Sequence, residues 1–216
     1  KKMINLYLIF ILICFQGFIG WYMVSSGLVD RVDVSHYRLA VHLMIAFIIL
    51  SLIFWNYLDL KSLITPDKKI NFNLALFFLI ILFIQISIGA FVSGMDAGTI
   101  YNTWPKMGSN FFPDDNNISN LLSLSAFNDA SLVQFIHRNL AYLIIVVYFF
   151  IFFKIYSNQI KRLYRPINFV GIFLIIQVIL GIFTLLNGAQ IYLASMHQIS
   201  SIFLVSSCIY FLYLNK

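Results

Sequence analysis

Long uninterrupted apolar stretches alternate with short polar ones along the whole chain. Each apolar stretch has about 20 residues or more, the length at which an α-helix crosses roughly 30 Å of hydrocarbon. None of them shows the alternation of apolar and polar residues that a membrane-spanning β-barrel requires. The pattern therefore predicts an all-α, polytopic integral membrane bundle with six transmembrane helices, over residues 4–27, 35–56, 71–94, 131–154, 167–186 and 194–214.

Composition excludes a water-soluble domain. Of 216 residues, 61% are hydrophobic and only 10% are charged, and the mean hydropathy is +0.90. This is more apolar side chain than the core of a globular domain can hide from water.

Basic residues gather on one side of the predicted helices. Ten of the 14 lysines and arginines lie at the two ends of the chain, in the second connection and in the fourth. The other connections carry six aspartates, Asp30, Asp33, Asp96, Asp114, Asp115 and Asp129. The positive-inside rule thus predicts that both ends of the chain are cytoplasmic. The net charge of +6 is an orientation signal and does not indicate nucleic-acid binding.

Two cysteines, Cys14 and Cys208, lie within predicted helices. Neither has a partner in an outer loop or belongs to a CxxC motif, so no disulfide or redox site is predicted. We expect both to fill space in the core as small apolar side chains.

Three histidines occupy equivalent positions. His42, His137 and His197 lie within about two turns of the outer ends of the second, fourth and sixth helices. Any one of them alone is as well explained by a polar residue satisfied within the bundle. Three at one depth favour ligation of haem iron by facing helices. No cluster of Asp or Glu accompanies them, which disfavours a carboxylate-bridged di-iron site.

Two arginines are neighbours of these histidines. Arg38 lies one turn before His42 on the same helix face, and Arg138 directly follows His137. Their guanidinium groups are equally suited to haem propionates and to lipid headgroups. His36 lies closer to the membrane surface, so we interpret it as interfacial and not as a ligand.

The motif Q-x-x-x-G recurs on the first, third and fifth helices, as Gln16 and Gly20, Gln85 and Gly89, and Gln177 and Gly181. Small and amide residues also simply help membrane helices pack. However, helices one and two match helices five and six in their glycines and histidines. We therefore expect helices three to six to be a complete four-helix unit, and helices one and two to be the end of another. This predicts that two helices precede Lys1 in a longer protein.

Several stretches, spread over nearly the whole chain, together resemble one family. They are GWYMVSSGL (20–28), YRLAVHL (37–43), GAFVSGMDAGTIYNTWPKM (89–107), VQFIHRNLAY (133–142), QVILGIFTLL (177–186) and the MHQ around His197. The chain resembles haem A synthase, the integral membrane enzyme of cytochrome oxidase assembly, in its proteobacterial and mitochondrial branch.

The resemblance implies an eight-helix, pseudo-twofold pair of four-helix bundles whose first two helices are absent from this sequence. Residues 1–70 would end the N-terminal half, which binds the substrate haem O at His42 and Arg38. Residues 71–216 would be the C-terminal half, with a resident haem b held by His137 and His197 as axial iron ligands beside Arg138.

The implied reaction is the oxidation of a methyl group of haem O to a formyl group, by successive hydroxylations and loss of water, to give haem A. The acidic residue that the family requires belongs to the absent first outer loop, so no catalytic residue is assigned within this chain. The implied location is the inner membrane, with haem sites near the outer face. The expected partners are haem O, membrane lipid, haem O synthase, other oxidase assembly factors and a second copy of the chain, without nucleic acid.

Two other functions use similar residues. A di-haem b-type electron-transfer subunit would use paired histidines, but it would be expected to place haems towards both membrane faces. A transporter built from repeats usually has broken helices or charged residues near the midplane, and neither is apparent in the sequence.

The connection over residues 95–130 is long enough to suggest a function. Four of its apolar residues predict an amphipathic turn that lies over a pocket. These residues are Ile118, Leu121, Leu122 and Phe127. Gly94 and Gly98 would permit tight turns or the close approach of a flat ligand. Tyr101 and Trp104 suit either the rim of a haem pocket or an interfacial aromatic belt.

Overall fold

The fold is a bundle of six long helices. The computed structural model describes residues 2–27, 34–61 and 69–216. The helices are α1 (Lys2–Gly27), α2 (His36–Leu60), α3 (Phe72–Gly94), α4 (Ala130–Ser157), α5 (Tyr164–Leu186) and α6 (Ile191–Leu214). All six are long and apolar enough to cross a membrane, and the described ranges contain no β-strand. The six predicted spans and the all-α membrane fold are confirmed.

Several helices extend beyond their apolar stretches. α2 continues to Leu60, where the Lys61 N–H closes it with hydrogen bonds to the carbonyls of Tyr57 and Leu58. α5 begins at Tyr164 and includes Pro166 in its first turn, where proline is tolerated because its missing N–H needs no helical partner. Hydropathy detects the membrane crossing, whereas a helix ends only where its backbone is capped.

Four of the helices form a closed ring. α3 packs against α4, α4 against α5, α5 against α6 and α6 against α3. α4 and α6 are therefore diagonal neighbours, as are α3 and α5. α2 packs on the α3 and α6 side of this ring, and α1 packs against α2.

The tightest packing lies in the half of the bundle that contains the C-terminal ends of α2 and α6. We call it the inner half because the charge pattern predicts that these ends face the cytoplasm. A cluster of buried apolar side chains fills it. Along α5 the last buried side chain is Gln177, and along α6 the first is Ser200. At the inner end, Asn215 accepts a 3.0 Å hydrogen bond from the Ile70 N–H and donates one of 3.3 Å to its carbonyl. The opposite half, which we call the outer half, contains the histidines. There α5 and α6 have no buried side chains beyond Gln177 and before Ser200.

The two cysteines differ in environment. Cys208 is buried in the core, as predicted, whereas Cys14 is exposed. The prediction was wrong for Cys14 because α1 packs mainly against α2, and Ile9 is its only buried side chain among those described.

Candidate functional site

The three histidines of the spans lie at one depth in the outer half. His42 is six residues into α2, which begins at residue 36. His137 is seven residues into α4, which begins at residue 130, and His197 is six residues into α6, which begins at residue 191. At about 1.5 Å per residue, each ring is about 10 Å from the outer end of its helix.

Each of these imidazole rings lies against a glycine of the preceding helix. A Cβ atom added to Gly20 would lie 3.0 Å from Cε1 of His42. Added to Gly89 or Gly181, it would lie 3.1 Å from Cε1 of His137 or His197. Because few Cβ contacts are this short, the glycine of the Q-x-x-x-G motif makes room for the ring. The repeat therefore has a steric basis in the packing of ring against backbone.

The glutamine of the motif contacts the same histidine. Gln16 Nε2 donates a 3.0 Å hydrogen bond to the carbonyl oxygen of His42 and lies 3.2 Å from its Nε2. Gln85 Nε2 lies 3.1 Å from the carbonyl oxygen of His137 and 3.3 Å from its Nε2. The α1–α2 and α3–α4 pairs thus share one arrangement of a glutamine, a glycine and a histidine.

In each of the three repeats, one glutamine oxygen and one histidine nitrogen are buried without a hydrogen-bond partner. These atoms are Oε1 of Gln16, Gln85 and Gln177 and Nδ1 of His42, His137 and His197. A buried polar atom without a partner costs about 1–3 kcal/mol, so its recurrence in three places points to a role beyond packing.

His137 and His197 lie on diagonally opposite helices of the four-helix ring, α4 and α6. Both are at the same depth in the outer part of their helices. Within residues 2–27, 34–61 and 69–216, no three His, Cys, Asp or Glu side chains are grouped to hold a metal ion. Two histidines on diagonal helices are a donor set of the kind that haem iron takes. His42 lies on α2, outside the ring, with its glutamine and glycine on α1.

Both arginines beside the histidines interact with protein groups. Arg138 donates hydrogen bonds of 2.8 Å to the carbonyls of Tyr101 and Thr103 and one of 3.2 Å to that of Lys106. The Arg38 guanidinium lies 4.7 Å from the centre of the Tyr22 ring. Arg138 thus organises the loop after α3, a role that sequence reasoning missed. Pairing of either arginine with haem propionates stays a prediction.

The comparison with known proteins agrees with these observations. The family described as cytochrome oxidase assembly protein (COX15-CtaA) matches residues 1–209. The chain belongs to this family. The resemblance found in the sequence is therefore confirmed.

Curated relatives named "Heme A synthase" match along nearly the whole chain. That of Pelagibacter ubique (strain HTCC1062) is 45% identical over 213 residues, which are 97% of this chain and 62% of the relative. That of Flavobacterium johnsoniae is 42% identical over 207 residues, 92% of this chain and 60% of the relative. That of Rickettsia prowazekii (strain Madrid E) is 38% identical over 221 residues, 100% of this chain and 65% of the relative. The chain therefore spans about three-fifths of the length of these relatives.

The stretch DAGTIYNTWP forms a hydrogen-bond network at the outer end of the bundle. Asn102 Nδ2 donates hydrogen bonds of 2.8 Å to the carbonyls of Gly98 and Leu185. Trp104 Nε1 donates one of 3.1 Å to the hydroxyl of Tyr142. These bonds join the end of α3 to α4 and α5.

The glycines of this stretch make room for protein. A Cβ added to Gly94 would lie 2.8 Å from Cα of His36, and one added to Gly98 would lie 3.0 Å from Cβ of Ala189. Both glycines are approached closely by other segments of the chain, and the approach of a flat ligand stays a prediction. His36 itself packs edge-on against Phe91 at 5.1 Å, so it belongs to the contact between α2 and α3.

The predicted amphipathic turn is present as two short 3-10 helices, Ile118–Leu122 and Leu124–Asn128. Ile118 and Leu121 line a cavity of about 320 Å³ together with Phe135 and Tyr142 of α4. None of the three histidines lines this cavity. The turn therefore lies over a cavity beside α4, as the sequence predicted, and this cavity is separate from the histidines.

Asp129 caps α4 just outside the membrane span. Its Oδ1 accepts hydrogen bonds from the Leu132 N–H at 3.0 Å and from Ser131 Oγ at 2.8 Å. Burial acts to raise the pKa of this carboxyl group, but these bonds and one from Asn116 outweigh burial, so the pKa is lowered. Asp129 thus stays ionised at neutral pH at the positive end of the helix dipole.

Proposed function

We propose that this chain is part of a haem A synthase, which oxidises a methyl group of haem O to a formyl group by successive hydroxylations and loss of water. The product, haem A, would serve cytochrome oxidase assembly. Membership of the cytochrome oxidase assembly family and the printed name of the relatives support this proposal.

Residues 71–216 would form the half that holds a resident haem b. The observation that carries this assignment is the placement of His137 and His197 on diagonal helices, each backed by a glycine and a glutamine with unpartnered atoms. A haem with two histidine ligands supplies one-electron transfer, because both axial positions are filled. The side chains of this chain fix where the ligand nitrogens lie, and Arg138 would lie beside the propionates.

Residues 1–70 would contribute one wall of the substrate site. His42 repeats the arrangement of His137, with Gln16 and Gly20 in the places of Gln85 and Gly89. We infer that His42 approaches the haem O iron and that Arg38 lies near its propionates. The second ligand and the catalytic acidic residue would come from a part of the protein that this sequence does not include.

Charge supports an orientation with both chain ends in the cytoplasm and the haem sites near the outer face of the inner membrane. Lys154, Arg162 and Lys216 lie at the inner end, whereas Asp114 and Asp129 lie at the outer end. Haem O synthase and other oxidase assembly factors would be neighbours in the same membrane. The exposed apolar side of α1 is a surface open to such partners, to lipid or to a second copy.

The spectrum of the purified chain tests the haem b site. We expect a low-spin, bis-histidine haem spectrum that disappears when His137 and His197 are both replaced by alanine. His36→Ala is the matched control, because it removes the one histidine that is not assigned as a ligand, and it should keep the spectrum. A spectrum that survives the double replacement would contradict the assignment.

Haem extraction tests the reaction. The full-length protein is co-expressed with an enzyme that makes haem O, and the pigments are extracted and separated. New haem A supports the synthase, haem b alone supports an electron-transfer subunit, and a protein without haem supports a transporter.

A further inference from the structure

The amide nitrogen of a glutamine lies beside Nε2 of a histidine in two places. Gln16 Nε2 is 3.2 Å from His42 Nε2, and Gln85 Nε2 is 3.3 Å from His137 Nε2. Each amide is held there by a second bond, of 3.0 or 3.1 Å, to the carbonyl oxygen of the same histidine. One amide nitrogen therefore contacts both the ring and the backbone carbonyl of the same histidine.

This contact determines which ring nitrogen carries the proton. An amide nitrogen only donates hydrogen bonds, so Nε2 of the neutral imidazole must accept, and the ring proton must lie on Nδ1. Nδ1 of both rings is buried without a hydrogen-bond partner, so no acceptor at Nδ1 explains that tautomer. The glutamine amide is the group that favours it.

We propose that Gln16 and Gln85 are positioning residues that hold His42 and His137 in the Nδ1–H tautomer, with the Nε2 lone pair directed towards the place where iron binds. The proposal rests on the haem sites proposed above. An amide hydrogen bond and an iron bond use the same lone pair, so they exclude one another at Nε2. The second bond, to the histidine carbonyl, uses a different acceptor and can hold the glutamine in place in both cases.

The alternative is that the glutamines only pack between helices, as amide residues do in membranes. Methionine distinguishes the two roles, because it is unbranched, similar in length and apolar, and it lacks a donor. Packing would survive Gln85→Met, whereas control of the tautomer would not. Gln198→Met is the matched control, since Gln198 is exposed on α6 next to His197.

Nitrogen NMR on the chain labelled at its imidazole nitrogens, produced in cells that cannot make haem, measures the tautomer directly. We expect His42 and His137 to have the proton on Nδ1. Gln16→Met should shift the proton of His42 to Nε2, Gln85→Met should do the same for His137, and Gln198→Met should change neither ring. Protons on Nε2 in the unmodified chain, or tautomers unchanged by the substitutions, would overturn the proposal.

Haem titration separates this proposal from the proposed function. An unmodified chain that binds no haem would contradict the proposed function, whereas the tautomers would remain measurable.

Discussion

The side-chain amide of Asn102 donates a 2.8 Å hydrogen bond to the carbonyl oxygen of Leu185, 83 residues further along the chain. Leu185 lies in the last turn of α5, and its carbonyl also accepts a 3.1 Å hydrogen bond from the Gly188 N–H. The same amide bonds the carbonyl of Gly98 at 2.8 Å. One side chain thereby connects the segment after α3 to the end of α5.

Asn102→Ala should lower the free energy of unfolding by about 1–3 kcal/mol, because it leaves the partly buried Gly98 carbonyl without its donor and removes one of the donors to the Leu185 carbonyl. Thermal unfolding in detergent measures the effect. Asn187→Ala is the control, since the exposed Asn187 amide bonds only the carbonyl of Phe183, and an exposed substitution usually changes stability by about 0.5 kcal/mol or less. Equal effects of the two substitutions would contradict the role given to Asn102.

Arg138→Lys should loosen the segment 101–106 although it keeps the positive charge. Lysine has no planar fork with which to bond three carbonyls, and a hydrogen bond from a charged group contributes about 1.5–3 kcal/mol. Backbone hydrogen exchange in this segment should therefore become about 10- to 100-fold faster.

Arg165→Lys is the control for this substitution, because the Arg165 guanidinium lies over the Phe169 ring at the inner end. If Arg138→Lys left the exchange unchanged and altered only the haem spectrum, Arg138 would act on the ligand and not on the loop.

Gly89→Ala and Gly181→Ala should each weaken haem binding by about 10-fold or more, comparable to the loss of an outer-shell partner. The new Cβ would lie 3.1 Å from Cε1 of the facing histidine and displace the ring. Gly17→Ala is a matched control in a helix, because nothing lies within 4 Å of its added Cβ. It should stabilise the chain by about 0.5–1 kcal/mol through helix propensity and leave haem binding unchanged.

Asp129→Ala should reduce stability in a pH-dependent way. At pH 6 the loss of the N-cap should cost about 0.5–2 kcal/mol. Since the pKa of Asp129 is lowered in the folded chain, its ionised form stabilises the fold above the ordinary pKa of about 4, and this contribution is lost as pH falls through the folded-state pKa. The difference in unfolding free energy between the two proteins should narrow below about pH 4. A difference that is constant down to pH 2 would exclude a charge effect.

The sequence predicted the six spans well because hydrocarbon thickness sets their length. It also placed His42, His137 and His197 at one depth, since helical rise converts residue number into distance. It could not show that α4 and α6 are diagonal, because that depends on which helix faces pack. The bounds of α5 differed because Pro166 does not interrupt a first turn.

The interactions of DAGTIYNTWP were beyond sequence reasoning for a different reason. Asn102 and Leu185 are 83 residues apart, and no local pattern marks two such residues as partners. The sequence showed that Gly20, Gly89 and Gly181 form a repeat. That they make room for imidazole rings depends on distances to the next helix. Periodicity identified the recurring residues, and three-dimensional packing explained them.

The ring of each histidine packs against a glycine of the helix immediately before it in the chain, α1 for His42, α3 for His137 and α5 for His197. The orientation of each histidine ring is thus a property of one hairpin, formed by two consecutive membrane-spanning helices. A hairpin is consequently the smallest unit that can be duplicated with its histidine already oriented. Duplication of hairpins, and not only of four-helix halves, would be enough to multiply sites of this kind.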